Sequence, residues 1–241
     1  NVDNANLMRD VLIRARRLDM PVLCHCEDTS MVEGRAVNEG SVSRQLWLEG
    51  RPAIAEELMV MRDAMLAEEN GAHVHICHVS TARSVDIIRK MKKKGVHLTC
   101  ETCPQYFWLT EDEILTQGSM ARVNPPLRTA QDVKGIIAGL KDGTIDVIAT
   151  DHAPHSAEEK ARPLTRAPSG MVGLETSLAL TLTGLYHSGK MELPDIIRRM
   201  STNPADILHL PKGRMSMGVA ADLTIFDPDQ EWTIDPEQFA S

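Results

Sequence analysis

Leu7, Val11, Leu12, Ala15 and Leu18 recur at helical spacing with Arg and Asp between them, which predicts an amphipathic helix over residues 4–18. The pattern then shortens. Pro21-Val22-Leu23-Cys24 reads as a short buried strand, ending at His25-Cys26-Glu27-Asp28. Residues 29–50 are polar and contain Gly, and predict a loop with a short helix. Pro52 suits the first turn of a helix reaching about Asn70, with Ile54, Leu58, Met61 and Met65 on one side and Arg62 and Asp63 on the opposite, solvated side. A strand over 72–77 leads to His78-Val79-Ser80-Thr81, where Ser80 or Thr81 can cap a helix with Val85, Ile88 and Met91 inward. That helix finishes in Lys92-Lys93-Lys94-Gly95, cations at the negative end of the dipole and a left-handed stop. Then come a strand over 96–99, a loop over 101–106, a short strand around 121–123 ending at Asn124-Pro125-Pro126, and a helix over 130–141 capped by Thr129. A β-branched strand over 145–149 follows, then helices near 174–188, 194–200 and 204–208, and a last strand over 222–226.

Strands alternating with helices of this length predict parallel βαβ units, at least four of them. No Gly-x-Gly-x-x-Gly follows the first strand, so a dinucleotide-binding domain is disfavoured. The expected fold class is α/β, the C-terminal half of a (β/α)8 TIM-type barrel. The chain starts Asn1-Val2-Asp3-Asn4 and stops soon after the last strand, so both ends are expected to continue in something longer.

Composition narrows the function. The net charge of −8 argues against nucleic acid or an anionic membrane as the main partner. No apolar run approaches the ~20 residues of a membrane span. Five irregularly spaced Cys suggest no disulfide framework, and a cytoplasmic location is expected. Three Trp, two Tyr and three Phe are too few for stacking platforms.

The chemistry gathers at strand ends. His25 ends one strand, His78 the next, and Asp151 a later one; in a barrel all three point into the mouth at the C-terminal face. Two imidazoles and a carboxylate are ligands that Zn²⁺ uses in hydrolytic sites with an open position for water. Singly, His25 reads as an interior histidine between Cys24 and Cys26, His78 as a helix cap, and Asp151 as a loop carboxylate; together they favour a metal site. One or both of His73 and His75 are expected to face the helix layer, and neither is given a role. Cys100-Glu101-Thr102-Cys103 has the spacing of half a zinc ribbon, but without a second pair it reads as two plain thiols.

Ala149-Thr150-Asp151-His152-Ala153-Pro154-His155, with Lys160 five residues on, resembles the C-terminal signature of the dihydroorotases. Four further segments resemble that family in the same order: His25-Cys26-Glu27-Asp28, His78-Val79-Ser80-Thr81, Asn124 to Arg128, and Ala167-Pro168-Ser169-Gly170 through Gly173-Leu174-Glu175-Thr176. The tail Gly218 to Leu223 is similar to the family's return into a small β-domain, which places the barrel part at residues 1–212 and the first strands of that domain at 213–241.

The resemblance implies a cytoplasmic enzyme with one or two Zn²⁺ that interconverts N-carbamoyl-L-aspartate and L-dihydroorotate in pyrimidine synthesis. It implies a homodimer, possibly associated with aspartate transcarbamoylase. His25 and His78 would ligate the second zinc. Asp151 would contact the first zinc and act as the proton carrier. Asn124, His155, Ser169 and Gly170 would hold the substrate. The sequence departs from the family in places. No His-x-His-x-Arg occurs, the nearest string being His73-Val74-His75-Ile76, and the family's bridging carboxylate is absent, its place falling just before Asn1. Ser169 stands where many relatives carry a bulkier residue, and Cys103-Pro104-Gln105-Tyr106 is closer to dihydropyrimidinases and allantoinases. Two other readings therefore stand beside dihydroorotase: a hydrolase of allantoin or a dihydropyrimidine, and a catalytically silent subunit that scaffolds aspartate transcarbamoylase.

Overall fold

The computed structural model describes residues 2–240. In chain order the elements are helix α1 (Ala5–Arg17), strand β1 (Val22–Cys24), short helix α2 (Ser41–Gln45), α3 (Ile54–Asn70), β2 (Val74–Ile76), α4 (Ala82–Lys93), β3 (Leu98–Thr102), short helices α5 (Pro104–Trp108) and α6 (Glu113–Gln117), α7 (Ala130–Lys141) and β4 (Val147–Ile148). The strands form one parallel sheet in the order β1-β2-β3-β4, and a single parallel bridge, His152 with Met171, extends the series beyond β4. Spatial order equal to chain order is the winding of a barrel; an open doubly wound sheet reverses direction at a switch point. The sheet is the partial barrel that the alternation of strands and helices implies.

The register separates its two faces. Cys24, Ile76 and Cys100 are paired neighbours and lie in the apolar core under the helices with Leu12, Val60, Ile88 and Ile136. Leu23, His75 and Thr99 are the alternate set and face the other way, into the barrel interior. Contact between α4 and α7 depends on Gly135, where a Cβ would stand 2.3 Å from that of Ala82. Thr81 caps α4 by accepting from Ser84 N–H at 3.0 Å, and Thr129 with Asp132 makes a capping box on α7.

Four expectations are corrected. Helix α3 turns a different face inward: Leu58 and Met65 are exposed, whereas Val60, Ala64 and Ala67 are buried together with Glu56 and Asp63. Small side chains let the helix sit close to its neighbours, and the acids it buries have partners, Asp63 an Arg62 guanidinium nitrogen at 2.7 Å. No strand forms over 121–123. Residues 118–121 make a 3-10 turn, and Ala121 and Val123 pack with Val37, Val42 and Leu127 in a second apolar cluster while β3 pairs with β4 directly. The helices expected over 194–200 and 204–208 are continuous, joined through a π-type turn at Arg198–Thr202. Residues 222–226 form no strand; Ile225 is 93% exposed and no neighbouring strand takes its backbone groups. Among the described residues no helix is long and apolar enough to cross a membrane.

His73 and His75 also depart from expectation, since both reach Thr99 Oγ1 at 2.8 Å on the interior face. His75 Nε2 lies 3.1 Å from the Glu101 carboxylate, which only accepts, so that nitrogen carries the proton. In the Nε2–H tautomer, Nδ1 of His75 accepts from the Thr99 hydroxyl, whose oxygen accepts from His73 Nε2–H. One directed chain therefore runs His73, Thr99, His75, Glu101. Burial, with His97 stacked at 3.9 Å and His75 close by, lowers the His73 pKa to about 4. A histidine held below its ordinary value stabilises the fold above pH ~6.5 and loses that contribution as pH falls toward ~4, because the unfolded chain takes the proton first. Denaturant unfolding at pH 7.5 and pH 5 is expected to show a smaller acid loss in His73→Gln than in the parent, and equal losses would remove His73 from this role.

Candidate active site

The C-terminal ends of the strands carry the side chains singled out from the sequence, and two are held in backbone that non-glycine residues seldom adopt. His78 has φ +37° and Asp151 φ +48°. The turn at His78 is fixed by a buried carboxylate: Glu56 accepts from Ser80 N–H at 3.1 Å, Thr81 N–H at 3.3 Å and the Ser80 hydroxyl. The buried Arg128 guanidinium lies 3.6 Å from Glu56 and donates to Ser80 Oγ at 3.1 Å. Thr102 Oγ1 donates to Val79 O at 3.0 Å, which ties the same turn to β3.

His25 and His78 meet. Nδ1 of His25 lies 2.8 Å from Nε2 of His78, with the rings edge-on at 71°. Burial, then the neighbouring His25, lowers the His78 pKa to about 4, so this imidazole is neutral at physiological pH, the form that ligates metals. Its Nδ1 is buried with no hydrogen-bond partner. Two nitrogens converging at two strand ends fit a pair of zinc donors. A catalytic zinc takes three protein ligands, and among the described residues no three His, Cys, Asp or Glu side chains gather closely enough to form a metal site. The described residues therefore fit part of a metal centre. Asp151 is half-buried at the same mouth; burial and then the Glu101 carboxylate raise its pKa, while His25 opposes.

Asn124 joins this group. Its Nδ2 lies 3.3 Å from Glu27 Oε2 and 3.5 Å from His25 Nε2, and its Oδ1 accepts from Arg51 at 2.6 Å. Burial pushes the Glu27 carboxyl up, but the hydrogen bond from His25 and the Arg51 guanidinium leave it below the usual carboxylate range.

His155, Ser169 and Gly170 form a second cluster. His155 Nε2 lies 3.1 Å from Ser169 O, so that nitrogen donates. Gly170 has φ +146°, and a Cβ there would meet Ala153 O at 2.6 Å and His155 Nε2 at 3.0 Å, so no larger residue fits. Lys160, buried, donates to the carbonyls of Arg122, Pro168 and Gly170 at 3.1, 3.3 and 2.9 Å. The Gly170 N–H donates to Arg122 O at 3.0 Å. His152 Nδ1 accepts from Gly173 N–H at 3.1 Å and Leu174 N–H at 3.4 Å, fixing the next turn.

Glu27, Arg51, Glu56 and His152 were not singled out from sequence. Glu27 and His152 stood inside quoted motifs, where a short-range signal was present. Glu56 and Arg51 carried none, because their side-chain partners lie 16 to 73 residues away. Cys100 and Cys103 are buried and unbridged; burial pushes the Cys100 thiol up to about 12.

Residues 3–240 match the amidohydrolase family model. The chain is 48% identical over 241 residues to a dihydroorotase of Anaplasma phagocytophilum and 50% identical over 240 residues to one of Pelotomaculum thermopropionicum. It spans about half the length of these curated relatives, 54% and 56%, while each alignment covers 100% of this chain. Among solved structures it resembles an L-hydantoinase (dihydropyrimidinase) from Arthrobacter aurescens, with 26% identity and TM-score 0.88 over 99% of this chain and 55% of that one. A D-hydantoinase (dihydropyrimidinase) from a Thermus species gives 25% identity and TM-score 0.86, over 98% and 54%. A parallel sheet wound in chain order, with histidines and an aspartate at its C-terminal ends and a family match over nearly every residue, places this chain in the amidohydrolase family.

Proposed function

We propose that this chain supplies the C-terminal barrel half of a zinc-dependent dihydroorotase, a cyclic amide hydrolase that interconverts L-dihydroorotate and N-carbamoyl-L-aspartate. The observation that carries the reading is the His25–His78 pair at two adjacent strand ends with Asn124 beside it. Identities of 48% and 50% to proteins named dihydroorotase support the substrate. His25 and His78 would hold one metal, and Asp151 would lie against a second. The remaining donors would come from the part of the relatives' length that this chain does not span, and residues 213–241 would lead into a small β-domain.

Zinc, when bound, supplies Lewis acidity toward the ring amide and makes a water acidic near neutral pH. The rest falls to the chain. Asp151 takes the proton as a water oxygen attacks the ring carbonyl carbon, and returns it to the ring nitrogen as the C–N bond breaks. A carboxyl whose pKa is raised by burial is the better base for this. Asn124 offers an N–H donor to a substrate carbonyl or carboxylate oxygen, and His155, whose Nε2–H is held by Ser169 O, would meet the substrate through the rest of its ring.

A second reading, hydrolysis of a dihydropyrimidine or allantoin, is favoured by Cys103-Pro104-Gln105-Tyr106, which lies against the site. Tyr106 Oη donates to Pro125 O at 2.8 Å, directly beside Asn124. Turnover by the full-length protein separates the readings. L-dihydroorotate is expected to be preferred over dihydrouracil and allantoin by about 10² or more in kcat/KM, the discrimination available when buried polar groups are left unpaired by the wrong ring. A preference for either alternative would replace the proposal, and no turnover of any would favour a silent scaffold.

Ligand and substrate roles divide in a further test. Asn124→Ala and His155→Ala are expected to leave bound zinc unchanged, since neither residue is placed on the metal. Each should lower kcat/KM by about 1–3 kcal/mol of transition-state binding. Zinc lost from either variant, by elemental analysis, would show the division to be wrong.

A further inference from the structure

Arg51 lies outside the sequence motifs, yet both its backbone and its side chain are anchored beside the site. Its backbone N–H donates to Val37 O at 2.7 Å, and its carbonyl accepts from Glu39 N–H at 2.9 Å and from Arg128 Nη1 at 3.2 Å. Its Nε donates to Arg35 O at 2.7 Å. Nη1, with two hydrogens, is left to serve two acceptors: Glu27 Oε1 at 2.7 Å and Asn124 Oδ1 at 2.6 Å. Glu27 closes the ring from the other side, its Oε2 lying 3.3 Å from Asn124 Nδ2.

A guanidinium has no acceptor and a carboxylate has no donor. A flipped Asn124 amide would set NH₂ against Arg51 and a carbonyl oxygen against Glu27, and both contacts would be repulsive. Only one orientation of the carboxamide satisfies both neighbours. Its oxygen is committed to Arg51, one Nδ2 hydrogen is committed to Glu27, and the other is presented beside His25.

We infer that Arg51 is a positioning residue: with Glu27 it clamps the Asn124 carboxamide so that the site always offers an N–H donor, selecting a substrate with a carbonyl or carboxylate acceptor there. The inference rests on the proposed role of Asn124 as a substrate contact, and it adds the reason that contact has one polarity.

The test uses the full-length protein with L-dihydroorotate and the variants Arg51→Met, Arg51→Lys, Asn124→Ala, Asn124→Asp and the double variant Arg51→Met/Asn124→Ala. Arg51→Met is expected to lower kcat/KM about tenfold, mainly through KM, with part recovered in Arg51→Lys. In the Asn124→Ala background the same change should cost less than about twofold, because a residue acting through Asn124 has nothing left to act on. Asn124→Asp keeps an acceptor for Arg51 but has no donor, and should be as poor as Asn124→Ala. An equal loss from Arg51→Met in both backgrounds would mean that Arg51 meets substrate itself or serves the fold alone, and would overturn the clamp. So would full activity in Asn124→Asp, which also decides the matter if Arg51→Met does not fold. Unchanged kcat/KM in Asn124→Ala would instead remove the substrate contact on which the clamp rests.

Discussion

Asp151→Asn in the full-length protein is expected to lower kcat for dihydroorotate by at least ~10³ while leaving the unfolding midpoint nearly unchanged. The amide keeps the size of the carboxylate but cannot take a proton, and it is a poor metal donor. Asp151 sits at φ +48°, in the left-handed region that Asp enters more readily than most side-chain-bearing residues. Burial and the nearby Glu101 carboxylate raise its pKa, which suits the proposed proton carrier. Small relief of charge repulsion in the amide variant would, if anything, help the fold. Near-normal turnover in purified Asp151→Asn would sink the assignment of the proton carrier.

The second large effect concerns stability. Arg128→Met is expected to destabilise the protein by about 3–5 kcal/mol, because it leaves the Glu56 carboxylate buried without its counter-charge. Both side chains are about 95% buried, with 4% and 5% exposure. Arg128 also donates to Asn38 Oδ1 at 2.8 Å, and Asn38 in turn donates to Glu111 Oε2 at 2.7 Å, so one guanidinium joins the 29–51 loop, the turn after β2 and the segment beyond α5. Glu56 keeps its two backbone N–H partners, which sets the lower end of the range. Pairing the change with Glu56→Leu should recover part of the loss, since two apolar side chains remove both charges. Denaturant midpoints of the single and double variants check this, and a loss under about 1 kcal/mol in Arg128→Met would show that the pair carries little.

These two residues act on one object. Glu56 holds the Ser80 and Thr81 amides, and thereby the left-handed turn that aims His78 at His25. A stability defect at Arg128 is therefore also expected to loosen the histidine pair, while Asp151→Asn should affect chemistry alone.

Element type and order were legible in the sequence wherever a local signal decided the matter. The β-branched runs ending at His25, His78 and Asp151 marked strand ends, and Thr81 and Thr129 marked helix starts, because caps and short strands are read within a few residues. The strand-end positions of the two histidines followed from that order alone, since a parallel α/β sheet gathers its C-terminal strand ends on one side. Tertiary structure decided what depends on distant partners. Asp63 was expected on the solvated side of α3 and is buried, because Arg62 neutralises it, and Glu56 is buried on the same helix against Arg128. His73 and His75 looked destined in part for the helix layer and instead both face inward, because a single threonine on β3 binds them. The strand expected over 222–226 is absent, since extended backbone becomes a strand only when a neighbour takes its hydrogen bonds. Arg51 had no signal in the sequence. Its place beside Asn124 comes from a contact across 73 residues, and charge complementarity over such a separation becomes visible only once the chain has folded.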